Sequence, residues 1–117
     1  MIGKDLLVSV IIPTYNRPGY LKKAIQTVLN QTYDHFEVIV VDDASETDTR
    51  KVIDFFDDDR IVYLRNDEQS GAPVSRNNGI RQANGECIAF LDDDDEWKPM
   101  KLEKQMKEFD DDRVGLV

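Results

Sequence analysis

Four consecutive carboxylates, Asp92, Asp93, Asp94 and Asp95, follow directly on the apolar stretch Ile88-Ala89-Phe90-Leu91. Like charges at this spacing repel one another, so the run is either a solvated turn or the holder of something positive. Three more polar clusters also follow apolar stretches. Asp42 and Asp43 come after residues 36–41, and Asn66 and Asp67 close the stretch that starts at Ile61. Thr14, Tyr15, Asn16 and Arg17 come after residues 6–13. Taken singly, the acidic pair could cap a helix and the run of four could be a turn. Gathered on one rim, they suit a hard divalent cation, Mg2+ or Mn2+. Such an ion takes one or two carboxylates and leaves its other positions for diphosphate oxygens. That chemistry would let an acidic protein bind an anionic ligand.

Two other sources of phosphate or metal binding are excluded by detail. No Gly-x-Gly-x-x-Gly follows the first apolar stretch and no Gly-x-x-x-x-Gly-Lys occurs, so there is no glycine-rich phosphate cradle. Asp92, Asp94 and Glu103 have the spacing of a calcium loop, but Trp97 occupies its glycine position and a strand precedes it.

The elements that would bring these clusters together alternate. Near-continuous aliphatic runs at residues 6–13 and 36–41 read as strands covered on both faces. "IVYLRN" from Ile61 and "ECIAFL" from Glu86 read as the third and fourth strands. Tyr20, Leu21, Ala24, Ile25, Val28 and Leu29 recur at helical spacing. A second helix, capped by Ser45 or Thr47, is expected to run through Phe56 with Val52, Ile53 and Phe56 inward. A third is expected over residues 73–83, with Pro73 in its first turn. A fourth starts at Pro99, with Leu102, Met106 and Phe109 inward and Lys101, Lys104 and Lys107 outward. "RVGLV" at residues 113–117 reads as the start of a fifth strand, as if the chain were the first part of a longer domain. The pattern predicts an α/β fold: a mostly parallel, Rossmann-like sheet with helices on both faces. Ligands of such sheets bind beyond the carboxyl ends of the strands, which is where the polar clusters fall.

The chain has 117 residues, one domain at most, and a formal charge of −9 from 24 acids and 15 bases. This disfavours nucleic acid or an anionic membrane surface as a partner, and no apolar run reaches membrane-spanning length. The single cysteine, Cys87, allows no intrachain disulfide and no cysteine metal cluster. A reducing, cytoplasmic setting is the simplest expectation. His35 reads as a surface residue.

The segments "VSVIIPTYNRPGYLKKAIQTVLNQTY", "FEVIVVDDASETDT", "SRNNGIRQANGECIAFLDDDDEW" and "KPMKLEKQ" resemble family 2 glycosyltransferases of the GT-A fold. The likeness covers essentially the whole chain, in order. It implies that residues 1–117 form the nucleotide-sugar-binding part of such a domain, the acceptor-binding half lying outside it. The implied donor is a nucleotide-diphosphate sugar, often UDP-linked, and the implied acceptor is a carbohydrate or lipid-linked hydroxyl in polysaccharide or cell-envelope glycan synthesis. Mn2+ or Mg2+ would assist, and the enzyme would work in the cytoplasm or at the cytoplasmic face of a membrane. Pro13, Thr14 and Tyr15 would border base and ribose, and Asp43 would accept a hydrogen bond from the base. Arg76 would lie near the base or phosphates. Asp92 and Asp94 correspond to an Asp-x-Asp pattern that contacts ribose and metal, but Asp93 and Asp95 satisfy the same pattern. Asp94 is the favoured metal ligand, with Asp92 or Asp93 on the ribose. The reaction implied is displacement at the anomeric carbon with inversion, its catalytic base lying beyond Val117.

The rival readings are a nucleotidyltransferase and a non-catalytic sugar-nucleotide-binding module. The first would carry a glycine- and basic-rich loop where "PTYNRPG" stands. A signalling receiver domain would need its acidic pair after the first strand, where Pro-Thr-Tyr stands.

Overall fold

A computed structural model describes residues 6–108. Strands and helices alternate in chain order: β1 (Val8–Thr14), α1 (Pro18–Leu29), β2 (Phe36–Asp42), α2 (Thr49–Phe56), β3 (Ile61–Arg65), α3 (Ala72–Gln82), β4 (Cys87–Phe90) and α4 (Lys101–Lys107). The four strands form one sheet in the order β3-β2-β1-β4, and every pairing is parallel. The α/β fold expected from the alternating pattern is therefore present. The fifth strand expected at residues 113–117, and Phe109, lie outside the described residues.

The aliphatic runs are nearly continuous because β1 and β2 are covered on both faces. Every residue of β2 is buried, and in β1 only Pro13 is not fully so. Side chains alternate across a strand, and the core divides accordingly. Val8, Val10, Ile12, Val38 and Val40 pack with Leu21, Ile25 and Val28 of α1, Val52 of α2, and Leu102 and Met106 of α4. Ile11, Ile39 and Val41 form the opposite face, where α3 lies so close that a Cβ on Gly79 would sit 2.6 Å from Ile11 Cγ2.

At the amino-terminal rim of the sheet, Glu37 of β2 is buried and fully engaged. It accepts hydrogen bonds from Ser9 Oγ (2.6 Å), Asn84 N–H (2.7 Å) and Asn84 Nδ2 (3.1 Å). Gly85 N–H donates to Ser9 Oγ at 2.8 Å, so the α3–β4 link is fastened to β1 and β2. Burial pushes Glu37 up, but the hydrogen bonds from Ser9 and Asn84 outweigh it and hold the carboxyl below its ordinary value.

α3 begins at Ala72, one residue before the expected start, and two other helix starts also differ from expectation. α2 begins at Thr49, with Asp48 at its N-cap position and no side-chain cap. The Ser45 hydroxyl is used elsewhere: it accepts Asn16 N–H at 2.8 Å, while Asn16 Oδ1 accepts the N–H groups of Glu46 (2.8 Å) and Thr47 (3.3 Å). α4 begins at Lys101 rather than Pro99, because the Pro99 carbonyl instead accepts Thr32 N–H at 2.9 Å.

Candidate functional site

From β1 the chain moves outward through β2 and β3, then crosses to the other side of β1 to form β4. The crevice beyond the carboxyl ends of β1 and β4 is therefore the topological switch point, where open α/β sheets bind ligands. A cleft of about 400 Å³ opens there. Pro13, Thr14, Tyr15, Asp43, Arg76, Asp92, Asp93 and Asp94 all line it, with Arg17 and Ser75. The strand ends deliver Thr14, Asp43 and the aspartate run, and the first turns of α3 deliver Ser75 and Arg76. Asp67 does not join them; it lines a separate cleft with Arg65, Glu68 and Asn78.

The four aspartates, indistinguishable in sequence, differ in surroundings. Asp93 is buried: its Oδ2 accepts Thr14 Oγ1–H at 2.8 Å, and its Oδ1 lies 3.4 Å from Arg17 Nη1. Burial pushes the Asp93 carboxyl above its ordinary value, opposed by the Thr14 hydrogen bond and the Arg17 charge and reinforced by the neighbouring Asp94 charge. Asp92, Asp94 and Asp95 are exposed, and each brings a carboxylate oxygen to within 4.8 Å of the others'. Three anionic oxygen donors at this separation fit the ligand preference of Mg2+ or Mn2+. Two cations face the run: Arg17 Nη1 is 3.2 Å from Asp94 Oδ2, and Arg76 Nη2 is 3.4 Å from Asp92 Oδ1.

The adjacent acids Asp42 and Asp43 do different work. Asp42 is wholly buried and takes hydrogen bonds from Ser45 N–H (3.0 Å), Tyr63 Oη–H (2.6 Å) and Arg65 Nη1 (3.2 Å). It joins β2 to β3 and does not line the cleft. Asp43 Oδ1 accepts Asn66 Nδ2 and Ser70 N–H, both at 2.8 Å, and its Oδ2 accepts Gly71 N–H at 2.9 Å. It thereby fixes the loop entering α3, whose first residue follows Gly71, a glycine at φ 95. Burial would raise Asp43, but these three hydrogen bonds outweigh it and keep the carboxyl below its ordinary value. A carboxylate has about four lone-pair sites, so these three bonds leave about one open.

Ser75 was not picked out by residue type, and Arg17 and Asn66 stood in the rim clusters with no individual role assigned to them. Asn66 Nδ2 also donates to Ser75 Oγ at 3.0 Å, so β3, Asp43 and α3 form one polar network beneath the cleft. A larger cleft of about 850 Å³ adjoins the first, shares Arg76 and Asp92 with it, and is lined by Trp97, Met100 and Lys101.

Residues 9–117 match the family described as glycosyl transferase family 2. An Escherichia coli UDP-Glc:alpha-D-GlcNAc-diphosphoundecaprenol beta-1,3-glucosyltransferase, WfgD, is 44% identical over 102 residues, which are 87% of this chain and 40% of that protein. S. aureus TarS 1-349 in complex with UDP-GlcNAc aligns with a TM-score of 0.84 at 30% identity, over 91% of this chain and 32% of that one. The mannosyltransferase PcManGT from Pyrobaculum calidifontis, in complex with GDP-Man and Mn2+, aligns with a TM-score of 0.71 at 30% identity, over 77% of this chain and 28% of that one. The chain spans less than half the length of the curated relatives it matches. With a family match over nearly all its residues and the fold of these solved structures, the chain belongs to glycosyl transferase family 2.

Proposed function

We propose that this chain forms the donor-binding part of a metal-dependent glycosyltransferase. It would take a nucleotide-diphosphate sugar, specifically a UDP-sugar, and transfer the sugar with inversion to a hydroxyl of a carbohydrate or lipid-linked acceptor. Polysaccharide or cell-envelope glycan synthesis is the setting, in the cytoplasm or at the cytoplasmic face of a membrane. The observation that carries the reading is the convergence of Pro13, Thr14, Tyr15, Asp43, Arg76, Asp92, Asp93 and Asp94 on one cleft at the switch point. The complexes of TarS with UDP-GlcNAc and of PcManGT with GDP-Man and Mn2+, and the lipid diphosphate in the name of WfgD, support it.

The chain's own residues divide the task. Pro13 and Tyr15 border the base and ribose, and the remaining lone pair of Asp43 accepts a base N–H, as the uracil ring offers. Thr14 and Arg17 hold Asp93 inward, which leaves exposed Asp92 for a ribose hydroxyl and Asp94 for the cation. Arg76 supplies positive charge beside the phosphates. Four carboxylates and two guanidinium groups line the cleft, a formal surplus of two negative charges that would repel a diphosphate. A divalent cation held at Asp94 would cancel that surplus and offset the charge that would grow on the departing diphosphate. The acceptor's general base is assigned to a segment beyond residue 117.

Titration calorimetry of UDP with Mn2+ or Mg2+, and again in EDTA, tests the reading. Binding is expected only with the metal. Equal affinity in both would overturn it.

A further inference from the structure

Arg17 has a fixed backbone and a half-exposed, ion-paired end. Its backbone is fixed: its carbonyl accepts Leu21 N–H at 2.9 Å, Pro18 follows as the first residue of α1, and Asn16, at φ 53, is clamped to the loop after β2. Its side chain is 48% exposed, and the same nitrogen, Nη1, reaches Asp93 at 3.4 Å and Asp94 at 3.2 Å. The guanidinium carbon also lies 5.9 Å from the centre of the Tyr20 ring, which is 58% exposed. The guanidinium thus rests on the carboxylate proposed for the cation, with an aromatic face beside it on which a cation is favourable.

We infer that Arg17 is a resident counter-ion that the divalent cation displaces from Asp94, and that the freed guanidinium then serves the donor's diphosphate. The inference rests on the metal-dependent reading of the cleft. A guanidinium 3.2 Å from Asp94 Oδ2 and a divalent ion on the same carboxylate would repel each other strongly at this range. Asp93 is also served by Thr14, so the guanidinium can leave without stranding the buried carboxylate. Its planar fork suits phosphate oxygens, and it already lines the cleft. One residue would therefore oppose the metal alone and favour metal with diphosphate. That couples the two ligands and disfavours a cation held without its donor.

Three proteins test this: wild type, Arg17→Gln and Arg17→Lys. Free Mn2+ is read by electron paramagnetic resonance without nucleotide, and UDP binding by calorimetry at saturating Mn2+. Arg17→Gln is expected to bind Mn2+ alone about threefold tighter or more, through lost charge repulsion, and to bind UDP about threefold weaker or more. Arg17→Lys, which keeps the charge, should stay within about twofold of wild type for Mn2+. Unchanged or weaker Mn2+ binding by Arg17→Gln overturns the inference, and so does equal tightening in both variants. Should Arg17→Gln fail to fold, the guanidinium resonance of wild-type Arg17, assigned by its loss in Arg17→Lys, is followed by NMR during Mg2+ titration. A resonance that shifts with Mg2+ supports displacement, and one that stays put overturns it. Metal-independent UDP binding by the wild type would sink the proposed function instead, while the Mn2+ comparison would still decide the role of Arg17.

Discussion

Thr14 Oγ1 donates a 2.8 Å hydrogen bond to Asp93 Oδ2, joining the last residue of β1 to the aspartate run beyond β4 across the switch point of the sheet. Asp93 is 7% exposed, so water cannot readily replace the hydroxyl. Thr14→Val removes the donor at nearly constant shape and is expected to cost about 1–3 kcal/mol, read as a lower urea midpoint. Thr14→Ser should recover most of it. A Val variant as stable as wild type would mean that the bond contributes nothing.

Asp94 should behave in the opposite way. It is exposed, and its ion pair with half-exposed Arg17 contributes at most about 1 kcal/mol. It also repels the nearby carboxylates of Asp92 and Asp95. Asp94→Asn is therefore expected to leave the melting temperature in EDTA within a few degrees of wild type. Mn2+ affinity should fall about tenfold or more, since a neutral amide replaces an anionic ligand. Retained Mn2+ affinity would move the metal to another register of the run.

Asp43 anchors a loop, and its proposed contact with the base can be read separately from that anchor. Asp43→Ala leaves the N–H groups of Ser70 and Gly71 without their acceptor. Their amide exchange should accelerate about tenfold or more, reporting the loop opening. The lost base contact should reduce a UDP-over-GDP preference by about 1–3 kcal/mol. An unchanged preference would leave Asp43 as an anchor alone.

These residues also show what was legible in the sequence. The strands were, because both-face burial leaves near-continuous aliphatic runs such as residues 38–41, and the inward helix positions Leu21, Ile25, Leu102 and Met106 followed from spacing. The rim assignment of Thr14, Asp43 and residues 92–94 followed from topology, whereas Asp42 and Asp67 do not line the cleft. The register of residues 92–95 was not legible, because four identical side chains carry no distinguishing information. Only the fold turns Asp93 toward Thr14. Asp42 and Asp43 posed the same problem: adjacent residues of one type, one tied to Tyr63 and Arg65 and the other to the loop before α3. Ser45 looked like a helix cap because caps are judged from local sequence, whereas its hydroxyl is used by Asn16, 29 positions away.

Glu37 gives a pH test with a definite sign. Its folded-state pKa is lowered from an ordinary 4.5. The stabilisation is therefore fully present above that value and lost as pH falls through the folded one. Asp42 and Asp43, lowered from 3.8, act in the same direction at lower pH. Glu37→Gln removes only the first contribution. The stability gap between wild type and Glu37→Gln, from urea titrations, should be constant from pH 6 to 7 and shrink as pH drops below about 4.5. A gap that stays level to pH 3 would mean that Glu37 titrates alike in the folded and unfolded chain.

Gly79 sets how closely α3, and with it the cleft wall, approaches the sheet. Replacing a helical glycine with alanine ordinarily stabilises by up to about 1 kcal/mol. Here the added methyl would lie 2.6 Å from Ile11 Cγ2 and 3.2 Å from Cγ1. Ile11 is fully buried in central strand β1, and its β-branched side chain has little rotamer freedom. The overlap should win, at a net cost of about 1–3 kcal/mol. Ser75 and Arg76 sit about one turn earlier on the same helix, so moving α3 outward also moves the Arg76 guanidinium from its 3.4 Å approach to Asp92. Gly79→Ala is thus expected to lose stability and to weaken UDP binding several-fold, although Gly79 does not line the cleft. The control is the double variant Ile11→Ala/Gly79→Ala, in which the cavity left by Ile11 accepts the new methyl. It should be more stable than the two single losses add up to by about 1 kcal/mol or more, with UDP affinity recovering in parallel. Strict additivity would mean that the helix accommodates the methyl without pressing on Ile11, and that the cleft does not depend on this contact.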